Sequence, residues 1–328
     1  MKNRVSMQDI ADSIGVSKVT VSKVLRGKSD VSEAMSRKIT AAAERLGYVY
    51  GGGKKENPLR ISVLSAEHFL GGNECFYVRL YRHLSEEFEK LNIDPILSVI
   101  DFKSEAELLV PEKLKNRETD GVVLLGQLSK AYVERVMSLG IPAVFLDFYY
   151  DGFEVTSINT DNFFSEYELV NRLIRLGHTR IAFVGTLGAT SSIQDRFLGY
   201  YKALIEHEIP LNPKWIFDDR EPDGRYLDIA FPAEMPTAFA CNCDEVALRL
   251  IRRLTEKGWR VPEDISVIGF DDSLRSSPEI TTVRVDLEGM AHAAAKAMLR
   301  EIGGNRRRNR ILIKGEILPR ESAAIAKI

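Results

Sequence analysis

The stretch Ser6-Met7-Gln8-Asp9-Ile10-Ala11-Asp12-Ser13-Ile14-Gly15-Val16-Ser17-Lys18-Val19-Thr20-Val21-Ser22-Lys23-Val24-Leu25 holds two short helices and the turn between them. Ser6 followed three residues later by Asp9 is a capping-box pattern, and Met7, Ile10, Ala11 and Ile14 recur at helical spacing, which predicts a helix over 7–14. Gly15 tolerates positive φ, Val16 supplies an apolar plug and Ser17 an N-cap, so a second helix starts at once over 18–25. Ser32-Glu33 caps a third, over 32–46, with Met35, Ile39, Ala42, Ala43 and Leu46 as its packing stripe. The pattern is a three-helix helix-turn-helix domain over residues 1–50.

What the second helix leaves exposed points to a polyanion. Lys18, Thr20, Ser22 and Lys23 fall outside its apolar face, beside Arg26 and Lys28, and the start capped by Ser17 adds its own affinity for phosphate. Lysine can donate to guanine and valine can contact a thymine methyl, which makes Lys18, Val19 and Lys23 the candidates for base edges. The competing reading is a small bundle with a solvated charged face. The exposed composition of the second helix weighs against it, and the charge asymmetry also suggests an anion-binding arm. The chain of 328 residues has a formal net charge of −2, yet residues 1–58 carry eleven Lys or Arg against six Asp or Glu, leaving an acidic remainder.

Residues 5–48, from Val5-Ser6-Met7-Gln8-Asp9-Ile10-Ala11 through Gly15–Leu25 and Val31-Ser32 to Leu46-Gly47-Tyr48, resemble the DNA-binding headpiece of the lactose/galactose repressor (LacI/GalR) family. The resemblance implies base-reading roles for Lys18, Val19 and Lys23, and backbone contacts for Ser6, Thr20, Ser22, Ser32 and Tyr48. It also implies a proline, an asparagine and a leucine-bearing hinge helix after Tyr48. Here a Gly/Lys-rich linker follows, 51–58, reading Gly-Gly-Gly-Lys-Lys-Glu-Asn-Pro. Three glycines oppose a helix at about 1 kcal/mol each relative to alanine, and no leucine stands ready to wedge the minor groove. The expected result is a tether that kinks its operator less than a hinge helix does.

Bulk features exclude several classes. No apolar run of about 18 residues could span a bilayer, and the N-terminus lacks the pattern of a secretory signal, so the chain is expected in the cytoplasm. Cys75, Cys241 and Cys243 are too few for a disulfide framework and read as reduced thiols. No metal-ligand spacing, P-loop or nucleophile elbow occurs. No catalytic residue, metal or cofactor is therefore assigned.

From Leu59 to the C-terminus, apolar β-rich runs alternate with amphipathic helices, the signature of parallel sheet with crossover helices. Strands are expected at 60–65, 121–125, 141–146, 180–184, 237–241 and 265–270. Helices are expected near 76–91, 104–115, 129–139, 161–176, 195–208, 244–257 and 287–302. So long a pattern favours two stacked lobes over one sheet. Ligands of open α/β sheets bind beyond the carboxyl ends of strands. The polar residues there are Glu67, Gln127, Asp147, Asn242, Cys243, Asp244, Asp271 and Asp272, with the loop 186–194 leading to Asp195 and Arg196. Carboxylates, amides and one arginine suit a polyhydroxylated ligand, since a carboxylate can accept two adjacent hydroxyls. Structural roles compete: Asp244 as a helix N-cap, Asp272 as a turn residue, Glu67 as a solvated charge. Paired acids could also mark a glycosidase.

The resemblance continues through Gly121-Val122-Val123, Ile141–Asp147, Leu176–Ala182, Arg196–Tyr200, Val261–Asp272 and Leu318–Ser322. It implies a two-lobed periplasmic-binding-protein-like effector domain over 59–328, with lobe one at 59–157 and 285–317 and lobe two at 158–284. Asp147, Arg196 and Asp271 then match effector-contacting positions. Cys243-Asp244 stands where the family has Asn-Asp, with Asn242 displaced by one; Asn242 and Cys243 join the effector candidates. The implied function is a homodimeric, sequence-specific repressor of carbohydrate-utilisation genes that binds a double-stranded DNA operator. It is no enzyme and has no membrane partner, and a small sugar or sugar derivative in the interlobe cleft controls it. Control by a phosphocarrier protein, or a soluble sugar-binding protein, are the alternatives.

Overall fold

The computed structural model describes residues 6–25, 31–46, 59–71, 75–273, 279–304 and 309–327. It divides into two units, Met1–Pro58 and Leu59–Ile328. In the first, helix α1 (Met7–Ile14) begins with the reciprocal cap expected of Ser6 and Asp9. The Asp9 N–H donates to Ser6 Oγ at 3.3 Å, and the Ser6 N–H donates to Asp9 Oδ2 at 2.7 Å. Gly15, at φ 68°, ends the helix and turns the chain. Helix α2 (Lys18–Leu25) follows, with the Thr20 N–H donating to Ser17 Oγ at 3.0 Å, and α3 (Glu33–Arg45) closes the bundle. Ile10, Ala11, Val21, Ile39, Ala42 and Ala43 form its core. Tyr48 and the linker 51–58 lie outside the described residues.

The second unit contains two parallel sheets. In chain order its first part comprises β1 (Leu59–Ala66), a short 3-10 helix (Glu67–Leu70), α4 (Phe76–Lys90), β2 (Ile93–Ile100), α5 (Phe102–Ala106), α6 (Glu112–Lys115), β3 (Gly121–Leu125), α7 (Lys130–Met137), β4 (Ala143–Leu146) and β5 (Thr156–Thr160). After α8 (Asn162–Arg175) come β6 (Ile181–Val184), α9 (Ser191–Glu206), β7 (Ile216–Phe217), β8 (Ala238–Cys241), α10 (Asp244–Glu256) and β9 (Ser266–Ile268). The chain then returns through β10 (Thr282–Arg284), α11 (Leu287–Ile302), β11 (Arg310–Ile313) and β12 (Glu316–Leu318). The larger sheet has the order β11-β5-β4-β3-β1-β2, the smaller β7-β6-β8-β9, and β10 pairs antiparallel with β12. The backbone therefore crosses between the sheets after β5, before α11 and after β11.

Strands buried on both faces alternate between two cores. Ile61, Val63, Val123, Leu125, Val144 and Leu146 face α4 and α11, whereas Leu64, Val122, Leu124 and Phe145 face the opposite layer with Tyr132 and Leu128. The helix expected over 104–115 is instead two short helices. Pro111, extended at φ −55° and ψ 142°, has no N–H to give and disfavours helix before it, so α6 starts afresh after it. Strands β2, β5 and β11 escape sequence patterning. β2 contains Pro95, tolerated because β2 is an edge strand, and β5 is Thr-Ser-Ile-Asn-Thr, polar although wholly buried.

Gly199 positions the site on lobe two. A Cβ there would lie 2.2 Å from the Phe163 carbonyl oxygen, so only glycine lets α9 meet α8 at this separation. That contact holds Arg196, one turn earlier on α9, against Asn162 at the start of α8.

Candidate functional site

In the first unit the proposed reading surface is α2 and its start. Val19 is 64% exposed, an apolar side chain presented to solvent while its neighbour Val21 is buried. Lys18 and Ser17 are exposed, and Thr20, Ser22 and Lys23 are half-buried on the same short helix. The hydroxyls already have local work: Ser17 Oγ lies 2.8 Å from Thr20 Oγ1, Ser6 Oγ donates to Asp9 Oδ2 at 2.8 Å, and Ser32 Oγ accepts the Met35 N–H at 3.4 Å. Ser6 and Ser32 sit at the starts of α1 and α3, not on α2.

In the second unit Asp147, Arg196, Asn242, Cys243 and Asp271 converge on one cavity of about 460 Å³. Asp147 follows β4 at φ 68°, and Asp271 and Asp272 follow β9 at φ 99° and 48°. Left-handed backbone at three aspartates is strain held by the surrounding structure, and it aims carboxylates off the strand ends. Arg196 is 5% exposed and makes three hydrogen bonds. Its Nε donates to Asn162 Oδ1 at 2.8 Å, its Nη2 to Asp271 Oδ1 at 3.2 Å and its Nη1 to the Asn242 carbonyl, and its guanidinium lies 3.7 Å from the Phe270 ring centroid. It positions Asp271 as much as it offers itself to a ligand.

Asp147 is different. The Tyr77 hydroxyl donates to its Oδ2 at 2.8 Å, while Oδ1, buried in the cavity wall, has no hydrogen-bond partner among the described residues. Burial pushes its carboxyl up to about 7, against the pull of Arg196 and the Tyr77 hydrogen bond. Asp271 is also pushed up by burial and held back by Arg196. A ligand hydroxyl would give Asp147 the partner it lacks, and near neutrality this group can accept or donate.

Asn242 and Cys243 divide the role expected of an amide. Asn242 touches the cavity, but its Nδ2 donates to the Val184 carbonyl at 2.9 Å and to Asp219 Oδ2 at 3.0 Å. Its Oδ1 accepts from Arg220 Nη2 at 3.2 Å. The amide is spent on holding Arg220, which also pairs with Asp219 at 2.6 Å. The Cys243 thiol, pushed up to about 12 chiefly by burial, is neutral and offers a ligand only a weak polar contact. Asp244 is not the N-cap expected of it. Cys243 holds that position, and Asp244, the first helical residue, accepts from Thr282 Oγ1 at 2.7 Å and the Ser273 N–H at 2.9 Å. Asp272 pairs with Arg284 and Arg320, a framework role, and Glu67 is an exposed charge outside the cavity wall.

Sequence reading missed the residues that complete the wall. Phe69, Phe76, Tyr77 and His68 come from the 3-10 helix and α4, and Arg220, Tyr226 and Arg249 come from the other lobe. Arg249 lies 4.4 Å from the Tyr226 ring centroid. A Phe-Tyr pair opening a helix beyond the first strand was a visible signal, since that is where ligands approach such sheets. The region around Arg220 carries no strand or helix pattern strong enough to place it. Sequence reading also missed the polar belt joining the lobes: Tyr149 Oη donates to Asp195 Oδ1 at 2.8 Å, Arg310 Nη2 to Asp195 Oδ2 at 2.5 Å, and the Ser191 N–H to Gln127 Oε1 at 2.7 Å.

Among the described residues no helix is long and apolar enough to cross a membrane, and no group of three or more His, Cys, Asp or Glu could hold a metal ion. Residues 6–50 match the family described as bacterial regulatory proteins, lacI family, and residues 170–323 match the periplasmic binding protein-like domain. The chain is similar to the NTD biosynthesis operon regulator NtdR of Bacillus subtilis, at 29% identity covering 94% of this chain and 96% of that protein. It is 28% identical to the probable HTH-type transcriptional repressor ExuR of the same organism, covering 97% and 98%. Its fold matches the lac repressor dimer bound to operator and the anti-inducer ONPF, with a TM-score of 0.67 and 24% identity over 98% of this chain and 100% of that one. A cellobiose complex of the regulator CelR has a TM-score of 0.68 at 23% identity, covering 97% and 100%. With a helix-turn-helix headpiece and a two-sheet binding body each matched along one chain, the protein belongs to the LacI/GalR family of DNA-binding transcriptional regulators.

Proposed function

We propose that this regulator is a cytoplasmic, non-catalytic repressor of carbohydrate-utilisation genes. It binds a near-palindromic operator as a homodimer, and a small sugar-like effector in the interlobe cavity controls it. The observation that carries the effector reading is Asp147: a carboxylate with one oxygen unpartnered, set in a cavity walled by Phe69, Phe76, Tyr77 and Tyr226. Aromatic faces cover the apolar faces of a sugar ring, and carboxylates take its hydroxyls. Asp271 and Arg196 complete the polar set, with Asn242 and Cys243 behind them. The headpiece, 1–50, reads DNA through Lys18, Val19 and Lys23. Ser6, Ser17, Thr20, Ser22, Ser32 and Tyr48 serve the phosphates. The linker is 51–58, and the body, 59–328, has lobes at 59–157 with 285–317 and at 158–284.

A thermal-shift screen of the full chain against a panel of neutral, amino and acidic sugars tests the effector reading, with Asp147→Ala as the control. A sugar that raises Tm for the parent and not for the variant supports it; a panel without response defeats it. DNA binding is tested by fluorescence anisotropy across a salt series, where two half-sites predict a steep fall in affinity as salt rises.

A further inference from the structure

We propose that residues 219–227 are a lid on the interlobe cavity, seated on lobe one by the packing of Gly224 against His68. The segment follows β7, the edge strand of the smaller sheet, and doubles back as a hairpin. Arg220 and Tyr226 pair antiparallel, the Leu227 N–H donates to the Asp219 carbonyl at 2.8 Å, and the Glu221 N–H donates to the Arg225 carbonyl at 2.8 Å. Arg220, Gly224 and Tyr226 stand in the wall of the cavity that holds Asp147. Glu221 and Pro222 line a second cavity, of about 600 Å³, and Gly224 and His68 belong to the walls of both. The hairpin tip and its seat therefore stand between the two spaces.

Root and tip are held by different forces. At the root, the N–H groups of Asp219 and Arg220 donate to Thr186 Oγ1 at 3.0 and 3.1 Å, Asp219 Oδ1 accepts the Thr186 N–H at 2.8 Å, and Asp219 Oδ2 accepts from Asn242 Nδ2 at 3.0 Å. All of these partners belong to lobe two. At the tip, Gly224 has φ 85°, and a Cβ there would lie 2.8 Å from the His68 Cβ and 2.9 Å from its Cγ, so backbone rests directly on the side chain of the opposite lobe. Among the described residues no hydrogen bond joins residues 221–225 to lobe one; Arg225 is spent on Asp223, two residues away, at 2.7 Å. A tip held by dispersion lifts at small cost while the hydrogen-bonded root stays fixed. Parting the lobes themselves would break the bonds of Asp195 to Tyr149 and Arg310 and of Gln127 to Ser191, so the lid can open with the cleft still joined.

The seat is continuous with the group left open in the cavity. The His68 ring lies 4.1 Å from the Phe69 centroid, Phe69 lies 4.4 Å from Tyr77, and the Tyr77 hydroxyl donates to Asp147 Oδ2 at 2.8 Å. A tip that settles on His68 thus closes against the same stack of rings that fixes the Asp147 carboxyl.

Neither the lid nor its seat depends on what the cavity holds, so the test uses no ligand. Cys243 stands in the cavity wall, whereas Cys241, two residues earlier, is 0% exposed in the core beneath. The full chain is treated with methyl methanethiosulfonate, a small neutral thiol reagent, and peptide mass spectrometry follows each cysteine separately. Gly224→Ala sets a methyl group against His68 and should speed labelling of Cys243 tenfold or more, with Cys241 unlabelled; adding His68→Gly should bring the rate back to within threefold of the parent. Joining tip to seat by a disulfide, through Gly224→Cys with His68→Cys, needs the tip to lift by about 1 Å and should slow Cys243 labelling tenfold or more below the parent. The lid is overturned if Gly224→Ala leaves the Cys243 rate within twofold of the parent, or if the joined hairpin labels as fast as the parent. Labelling of Cys241 in step with Cys243 would show lobe two unfolding and not a lid opening, and would overturn it too. Fast labelling that persists with His68→Gly overturns the seat.

Discussion

The headpiece and the effector cavity present their chemistry in opposite ways. Val19 is 64% exposed, whereas Asp147, Arg196 and Asp271 are 3%, 5% and 8% exposed. An exposed side chain such as Val19 stays in water until a partner surface replaces that water. A sensor works with groups already desolvated, and every charge in it leans on another: Arg196 on Asp271 and Asn162, Asp147 on Tyr77, Arg220 on Asp219 and Asn242. Substitutions at the exposed Lys18 and Val19 should therefore cost binding without stability, and those in the sensor should cost both.

The largest effect is expected at Arg196. Arg196→Ala leaves Asp271 buried without its cation and should lower body stability by about 3–5 kcal/mol, with effector response abolished. Operator affinity, measured by anisotropy well below the melting temperature, should stay within threefold of the parent. Equal damage to both activities would break the division between reader and sensor.

Lys18→Ala should weaken operator binding by about 10- to 100-fold, the equivalent of about 1–3 kcal/mol for a base contact, with Tm and effector affinity unchanged. If the loss were uniform across operator variants, Lys18 would be a phosphate contact and the base-reading assignment would need revision.

Gly199→Ala forces α9 away from the Phe163 carbonyl and should cost about 1–3 kcal/mol. Calorimetry should show the body melting lower, and the shift of Arg196 relative to Asn162 should weaken effector binding in parallel.

The smallest effect concerns pH. Glu166 is fully buried, neither carboxylate oxygen has a hydrogen-bond partner among the described residues, and burial pushes its pKa up to about 8; Asp147 and Asp244 are pushed up to about 7. A carboxyl with a raised folded-state pKa contributes its stability fully below its unfolded value, and that stability is lost as pH rises through the folded value. The body should thus lose stability between about pH 5 and 8.5. Glu166→Met should lessen that loss, its Tm advantage over the parent being small at pH 5 and growing up to pH 8.5. An advantage independent of pH would mean that Glu166 is not titrating in this window.

Much of the headpiece was legible because its signals are local. Ser6, Asp9, Gly15 and Ser17 act on residues within four positions of themselves, and α1 and α2 run as their spacing predicts. In the body, Gly121–Leu125 and Leu287–Ile302 match their expected bounds, since each is bordered by clear turn or cap residues. β5 was not legible, because a polar strand becomes a strand only when neighbours on both sides pair with it. The same limit applies to the site. Asp147, Arg196 and Asp271 stand at strand ends or on the helix after one, a rule of topology that patterning supports. Nothing local revealed that Tyr77 would donate to Asp147, seventy residues on, or that Asn242 would be consumed by Asp219 and Arg220.

Sequence alone determined the helix-turn-helix, the exposed face of α2, the alternation of strand and helix, and the choice of carboxylates and an arginine at the strand ends. These depend on backbone preferences and hydrophobic period, which a short window contains. Only the tertiary structure decided which polar groups pair with one another and which, like Asp147 Oδ1, have no hydrogen-bond partner among the described residues. The reason is desolvation: whether a buried group has a partner depends on residues brought together from distant parts of the chain.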